Sequence, residues 1–357
     1  MARAMRLAAQ AEYTAHPNPM VGCVLVNNGA IVGEGWHEVA GAAHAEINAL
    51  REAGDAARGS TAYVTLEPCV HHGKTPPCVD ALVAAGVSEV VVALEDPFPA
   101  VSGGGLAALT SAGVIVRKGL MRDSVAEQLK GFVSRNTRGR PYVRMKVAAS
   151  IDGCIAMADG ESQWITGPAA RADVQRLRAR SGAIMTGIGT VLADDPSLTV
   201  RDLALDMRGR QPLRVVLDRD LRLPASAKML AQPGETLVYC GPDAQGDALA
   251  AAGADVINVR TQAGELSLPV VISDLATRGV NDLLVEAGPT LAGALLEARL
   301  VDELVIYQAP HIMGSQTLRM FATPTWTALA SRQGLHITDR RSVGNDLRIT
   351  ATFTDRD

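Results

Sequence analysis

The sequence has no run of about eighteen apolar residues, the length a membrane-crossing helix needs. Its N-terminus carries no hydrophobic core ahead of a small-residue cleavage site, so the expected location is the cytoplasm. It also lacks an excess of basic charge: 34 Lys and Arg stand against 38 Asp and Glu, for a net charge of −4. Before Pro141 there are 12 basic and 13 acidic residues, and from it onward 22 and 25. Neither half is a cationic surface, which argues against a nucleic-acid backbone as partner. A small anionic ligand held by a few local Arg or Lys side chains stays open. The five cysteines are odd in number and widely spread, which is no disulfide framework. In a reducing compartment such residues serve as metal ligands or core side chains.

At 357 residues the chain is long enough for two domains, and 47% hydrophobic content suffices for two cores. Its most informative stretch is His44-Ala45-Glu46, followed by Pro68-Cys69 and then Cys78. A catalytic zinc takes three protein ligands, keeps the fourth position open for water, and works with a base that is not itself a ligand. His44, Cys69 and Cys78 can supply the three ligands. Glu46 is too close to His44 to be a comfortable fourth ligand, but well placed to move protons. His-x-Glu followed by Pro-Cys-x-x-Cys is the signature of zinc nucleobase deaminases; here eight residues separate the cysteines instead of two. That insert, Val70 to Pro77, is polar and proline-rich. In it Lys74 is a candidate phosphate contact and His71 a candidate contact to a substrate ring or phosphate, solvated loop side chains being the alternative for both. The residues alone support zinc-dependent hydrolytic deamination of a small heterocycle, with Glu46 taking a proton from the attacking water and returning one to the leaving ammonia.

Local patterns place these residues. Residues 2–13 read as a helix, ended by the two prolines of His16-Pro17-Asn18-Pro19. Val21–Val26 is an apolar run suited to a buried strand, with Cys23 as a core residue, and Asn27-Asn28-Gly29 is a turn. Asn18, where a loop meets that strand, is either a turn residue or an amide that hydrogen-bonds a heterocycle. His44 to Ala53 reads as a helix whose start carries His44 and Glu46. Thr61–Leu66 is a strand with Cys69 just past its C-terminal end, where open α/β sheets put their sites. Cys78 begins the next helix; helix starts favour thiolate. Asp123–Phe132 reads as a last helix and Ser134–Pro141 as a linker without an apolar stripe.

Thr65-Leu66-Glu67-Pro68-Cys69, His71-His72-Gly73-Lys74-Thr75-Pro76-Pro77-Cys78, and Asn18-Pro19 with Val21-Gly22-Cys23-Val24 resemble the bifunctional riboflavin-biosynthesis deaminase/reductase family. The resemblance implies a cytidine-deaminase-like α/β/α domain over residues 1–140, a mixed sheet between helices. It also implies a diaminopyrimidinone substrate bearing a phosphoribosylamino group. Two positions depart from the family: Phe98 replaces the usual Asn of an Asp-Pro-Asn-Pro loop, and Gly104 replaces a basic residue.

Residues 141–357 carry alternating strand and helix patterns. Tyr142–Ser150 reads as a strand and Pro168–Arg180 as a helix with proline at its first position. Ala183–Thr186 is a buried strand, and further strands and helices follow through Leu213–Leu217, Thr236–Tyr239, Ala244–Ala252, Val256–Val259 and Asp282–Glu286. Gly187 and Gly189 make no dinucleotide fingerprint, because the third glycine and the later acidic residue are missing. Gly288 to Ala294 starts a helix whose amides can cradle a phosphate. Ser150–Gly153, Glu161–Thr166, Thr190–Arg201 and Val285–Thr290 are similar to the reductase half of the same family. That resemblance implies a dihydrofolate-reductase-like α/β domain with NADPH along the sheet. The implied reaction is hydride transfer to C1′ of the opened ribosylamine. Ala148, Trp164, Thr190, Asp194, Gly288, Pro289, Thr290, Leu291, Ala292, Gly293 and Ala294 would then line the cofactor. Ser162, Arg178, Leu198, Arg201 and Glu286 would hold substrate, the arginines pairing with its phosphate. Cys154 stands where the family usually has Lys or Arg, so an active deaminase with a weakened reductase is an alternative.

Two other readings stand beside this one. A nucleic-acid or nucleoside deaminase with an accessory domain is opposed by the acidic balance and the long inter-cysteine loop. A binding protein with structural zinc is opposed by the ligand count, since structural sites carry four. The resemblance further implies a homo-oligomer, dimer or tetramer, acting on a phosphorylated pyrimidine with neither nucleic acid nor membrane as partner.

Overall fold

The computed structural model describes residues 1–70, 77–98 and 102–354. The chain divides into two compact units, Met1–Arg140 and Pro141–Asp357.

The first unit runs α1 (Ala2–Ala8), β1 (Gly22–Asn27), β2 (Ala30–Trp36), α2 (Ala45–Ala53), β3 (Thr61–Leu66), α3 (Cys78–Ala84), β4 (Glu89–Leu94), α4 (Gly104–Ser111), β5 (Ile115–Lys118), α5 (Arg122–Gln128) and α6 (Lys130–Arg138). Its sheet has the order β2-β1-β3-β4-β5; β1 is antiparallel to both neighbours and the remaining pairs are parallel. Alternation along β1 sends Cys23 and Leu25 into a core with α2, α3 and α4, while Val24 packs on Ala4 and Leu7 of α1. Helix α2 presents Ala45, Ala49 and Ala53 at four-residue spacing, a flat face of small side chains. The strand beneath it is equally bare. A Cβ on Gly35 would lie 2.3 Å from the Ala45 carbonyl oxygen, and one on Gly33 2.3 Å from that of Ala49. Only glycine lets α2 sit this close to β2, and the close seat fixes where His44 and Glu46 stand.

Two local expectations change. The first helix ends at Ala8 and continues as a 3₁₀ turn over Ala9–Ala11. The helix read as Asp123–Phe132 breaks at Leu129 and resumes as α6, which runs through most of the stretch read as a linker. Phe132 and Ser134 are buried. The Ser134 hydroxyl donates to the Arg140 carbonyl at 2.7 Å and accepts from the Arg138 guanidinium, which closes the helix end, and left-handed Gly139 terminates it.

The second unit runs β6 (Tyr142–Ser150), β7 (Cys154–Ala156), α7 (Pro168–Arg180), β8 (Ala183–Gly187), α8 (Ile188–Asp194), β9 (Leu213–Leu217), β10 (Thr236–Cys240), α9 (Asp247–Ala251), β11 (Ala254–Asn258), β12 (Thr261–Gln262), β13 (Glu265–Leu266), α10 (Leu268–Thr277), β14 (Asp282–Val285), α11 (Pro289–Glu297), β15 (Glu303–Ala309), β16 (Leu318–Arg319), β17 (Leu335–Val343) and β18 (Asp346–Phe353). Its main sheet has the order β11-β10-β9-β8-β14-β6-β15-β18-β17. The strands are parallel from β11 to β15, and the β17–β18 hairpin adds antiparallel to that edge. The central strands are apolar on both sides: Leu283 and Val285 enter one core and Leu284 the other. Buried Asp173 of α7 accepts from the Tyr307 hydroxyl at 2.6 Å and from Arg348 at 2.7 Å. This pins α7 to β15 and β18, and α7 carries Arg178.

Candidate active sites

In the first unit, sheet and helices bring His44, Cys69 and Cys78 together, with one ligand atom from each lying within 4.8 Å of the others. His44 is the N-cap of α2, Cys78 opens α3, and Cys69 follows β3 in a loop rather than at a helix start. The His44 Nδ1 lies 3.2 Å from the Cys78 Sγ and 3.6 Å from the Cys69 Sγ. The Cys78 backbone N–H donates to the Cys69 sulfur at 3.4 Å. One thiol of the pair is acidic: the hydrogen bond from Cys78, then that from His44, holds Cys69 well below the thiol range, while Cys78 is raised. An imidazole and two thiols in this arrangement are the donor set of a three-ligand zinc site with an open position.

Glu46, in the first turn of α2, is buried, and desolvation raises its carboxyl above the ordinary range. His44 and Cys78 pull that carboxyl the other way, by less than burial raises it. A buried carboxyl two residues from His44 in the same helix turn can take a proton from a water and give one back.

Asn18 meets a partner the sequence did not suggest. Its Nδ2 lies 3.0 Å from the Nε2 of buried His37, whose Nδ1 lies 3.1 Å from the Ala43 carbonyl oxygen. A carbonyl only accepts, so Nδ1 carries the proton and Nε2 accepts from the Asn18 amide. Burial lowers the His37 pKa, in keeping with a neutral ring. The same ring stacks edge-on against His44, with centroids 5.5 Å apart. His37 thus touches both the His44 imidazole and the Asn18 amide. His71 and Lys74 lie outside the described residues. Phe98 is exposed, and its N–H donates to the Asp96 carboxylate at 2.8 Å.

In the second unit a cavity of about 1250 Å³ opens at the C-terminal ends of the parallel strands. Of the residues expected there, all but Ala292 and Gly293 line it. Ala292 is buried in the core, and Gly293 faces the chain at residue 322: a Cβ on it would lie 2.1 Å from the Ala322 carbonyl oxygen. Helical rotation turns these two away while Pro289, Thr290, Leu291 and Ala294 face the cavity. The Thr190 hydroxyl accepts the Gly288 N–H at 3.1 Å and ties α8 to the start of α11. Asp194 accepts from the Ser162 hydroxyl at 3.2 Å and the Gln163 amide at 3.4 Å. Trp164 is 67% exposed, with the Arg171 guanidinium 4.7 Å from its ring centre. Leu198 lines the cavity in a left-handed conformation, φ +48°.

Arg178 is not a free phosphate clamp. Its guanidinium grips Glu286 with two hydrogen bonds of 2.6 and 3.1 Å and donates to the Thr199 carbonyl at 3.0 Å. Lys146, also in the cavity wall and absent from the sequence reading, stands 3.7 Å from the same carboxylate. Burial alone would raise the Glu286 carboxyl, but Arg178 and then Lys146 hold it down to about 2. Cys154 does not line the cavity, although Ile155 and Ala156 do. It is buried, with Thr317 donating to its sulfur at 2.8 Å.

Residues 1–94 match the family described as the cytidine and deoxycytidylate deaminase zinc-binding region, and residues 141–346 match the RibD C-terminal domain. The riboflavin biosynthesis protein RibD of Escherichia coli is 49% identical, covering 97% of this chain and 96% of that protein. The chain belongs to the RibD family. RibD of Haemophilus influenzae is 44% identical over 99% of this chain and 96% of its own length. A solved structure of Acinetobacter baumannii RibD superposes with a TM-score of 0.94 at 43% identity, covering 99% of this chain and 98% of that one. The Thermotoga maritima structure described as a diaminohydroxyphosphoribosylaminopyrimidine deaminase/5-amino-6-(5-phosphoribosylamino)uracil reductase reaches 0.86 at 29% identity, over 99% of this chain and 97% of that one. As a RibD-family protein, the chain is a bifunctional enzyme of riboflavin biosynthesis, with a cytidine-deaminase-like half that uses zinc and a reductase half that uses NADPH. No helix among the described residues is long and apolar enough to cross a membrane.

Proposed function

We propose that residues 1–140 deaminate 2,5-diamino-6-(5-phosphoribosylamino)pyrimidin-4(3H)-one, and that residues 141–357 reduce the ribosyl side chain of the product to ribityl. The observation that carries the first step is the convergence of His44, Cys69 and Cys78 beside buried Glu46. These three side chains would hold zinc, which when bound makes a coordinated water more acidic. Glu46 would take that water's proton and return one to the departing ammonia. Asn18, oriented by His37, would hydrogen-bond the pyrimidine edge; His71 and Lys74, on the inter-cysteine loop, would contact the substrate's sugar-phosphate.

For the second step, NADPH supplies the hydride. The start of α11, with Thr190, Asp194, Ala148 and Trp164, would seat it along the cavity. Glu286 would accept hydrogen bonds from the substrate's polar edge, with Arg178 and Lys146 keeping its carboxylate ionised. Ser162, Leu198 and Arg201 complete the substrate end, and Arg201, rather than Arg178, is the arginine available to a phosphate. Five cysteines without a disulfide fit a reducing cytoplasm, and the family resemblance supports a homo-oligomer, dimer or tetramer.

The test follows ammonia release and NADPH oxidation separately on the diaminopyrimidinone phosphate, in wild type and Glu46→Gln. Wild type should show both and the variant neither, while the deaminated intermediate restores NADPH oxidation to the variant. Ammonia release that persists in Glu46→Gln would remove Glu46 from the mechanism. Zinc-loaded wild type that releases no ammonia would sink the substrate assignment.

A further inference from the structure

The three proposed zinc ligands are not held alike. His44 and Cys78 sit at the starts of α2 and α3, whereas Cys69 stands on a turn after β3. Its own backbone carbonyl is tied by one hydrogen bond, from the Val79 N–H at 3.3 Å. Two residues before it, Glu67 has a side chain the deaminase mechanism does not use. Glu67 is 4% exposed, yet among the described residues it meets four backbone amides, those of Asp96, Gly103, Gly105 and Leu106. Its Oε1 accepts from Gly105 at 2.8 Å and Leu106 at 3.2 Å, and its Oε2 from Gly103 at 3.0 Å and Asp96 at 3.1 Å. Gly103 is the N-cap of α4 and has no side chain to offer, so a carboxylate from the loop after β3 caps this helix.

The contact continues along the turn. A Cβ on Gly105 would lie 2.2 Å from the Pro68 carbonyl oxygen and 3.1 Å from the Glu67 side chain. Among the described residues, a Cβ on Gly104 would meet the Val70 side chain alone, at 3.3 Å. The first turn of α4 therefore rests directly on Glu67–Val70, the turn that carries Cys69, and the Glu67 carboxylate is what fastens it there.

We propose that Glu67 is a positioning residue of the zinc site: by clamping α4 and the Asp96 loop onto the Glu67–Val70 turn, it sets where the Cys69 sulfur stands. Zinc–sulfur bonds are short and tolerate little displacement, and outer residues that orient ligands typically control metal affinity by 10- to 100-fold. The inference rests on the reading of His44, Cys69 and Cys78 as zinc ligands.

The experiment uses full-length Glu67→Gln, Gly105→Ala and Gly104→Ala. Glu67→Gln turns one acceptor oxygen into a donor facing two amides. Gly105→Ala wedges the same joint apart without touching the carboxylate. Gly104→Ala adds the same methyl one residue away, where flexible Val70 can yield. Zinc affinity is read by competition with a chromophoric chelator, and ligand geometry from the visible spectrum of the cobalt-substituted protein. Limited proteolysis of the first unit reports its folding, and turnover of the deaminated intermediate reports that of the reductase half. Glu67→Gln and Gly105→Ala should bind zinc at least about 10-fold more weakly, with a shifted cobalt–thiolate band, while Gly104→Ala stays within about twofold of wild type. All three should keep reductase turnover within about twofold. Wild-type zinc affinity and cobalt spectrum in both altered joints would overturn the proposal. If Glu67→Gln does not accumulate, the Gly105/Gly104 comparison decides by the same readouts. Collapse of both variants with Gly104→Ala intact would make Glu67 a folding residue only, which also overturns it. Wild type that binds no zinc, or binds it equally well after Cys69→Ser, would instead defeat the ligand reading itself.

Discussion

Replacing Glu286 with glutamine removes the negative charge at the centre of the second-unit cavity and leaves Arg178 and Lys146 facing a neutral amide. Two estimates of the cost agree. At an effective dielectric near 20, unit charges about 4 Å apart attract by about 4 kcal/mol, and burial offsets part of that gain. Independently, the Glu286 carboxyl is held down from an ordinary 4.5 to about 2, despite burial that acts the other way. That depression corresponds to on the order of 3 kcal/mol of stability at neutral pH. Its sign follows from the lowered folded-state value: the contribution is complete above pH 4.5 and drains away as pH falls toward about 2. The assay is urea unfolding of the full chain in a Trp36→Phe background, so that Trp164 and Trp326 report the second unit. With a slope of about 2 kcal/mol per molar, Glu286→Gln should lower the midpoint by about 1.5 M at pH 7. The gap to wild type should narrow as pH drops below 4.5. The double variant Arg178→Met/Glu286→Leu should recover part of the loss, because an apolar pair leaves fewer buried charges unpaired. Ammonia release should be unchanged throughout. A midpoint shift under about 0.3 M, or a gap that widens in acid, would refute the assignment of Glu286 as a buried, paired carboxylate.

Thr190→Val removes the acceptor of the Gly288 N–H at the start of α11, so the NADPH KM should rise severalfold to about 10-fold with little change in deaminase turnover; steady-state kinetics on each half checks both parts. Cys154→Lys should not improve the reductase. It buries an ammonium where Thr317 now donates to sulfur, and thermal unfolding should show roughly 2–4 kcal/mol of destabilisation without a gain in NADPH oxidation. His37→Phe keeps the ring's bulk but removes the acceptor of the Asn18 amide, so the deaminase KM should rise about 10-fold with kcat falling less; an unchanged KM would release Asn18 from substrate binding.

Chemistry-bearing residues were legible to different degrees, and the reason is range. The cluster of His44, Cys69 and Cys78 could be read from spacing because each member belongs to a short motif at the end of a regular element. Those elements announce themselves locally: Thr61–Leu66 and Tyr142–Ser150 alternate or run apolar as strands, and Pro168–Arg180 opens on proline, and all three have the same bounds in the structure. The linker reading at Ser134–Pro141 failed because its helix is closed by side-chain hydrogen bonds from Ser134, which leave no apolar stripe to see. Ala292 and Gly293 were drawn into the cofactor set because a contiguous motif ignores helical rotation.

By itself, then, the sequence determined many of the strands and helices, the grouping of His44, Cys69 and Cys78, and the family membership of the second-half motifs. Only the tertiary structure decided that Arg178 is spent on Glu286, 108 residues away, that Lys146 joins them, that His37 touches both Asn18 and His44, and that Glu67 clamps α4. Backbone periodicity records which face of an element is buried, because burial repeats with the geometry of helix and strand. Which polar side chain meets which across a folded core follows no period, and is settled only when the packed layers bring buried charges and amides within reach of a partner.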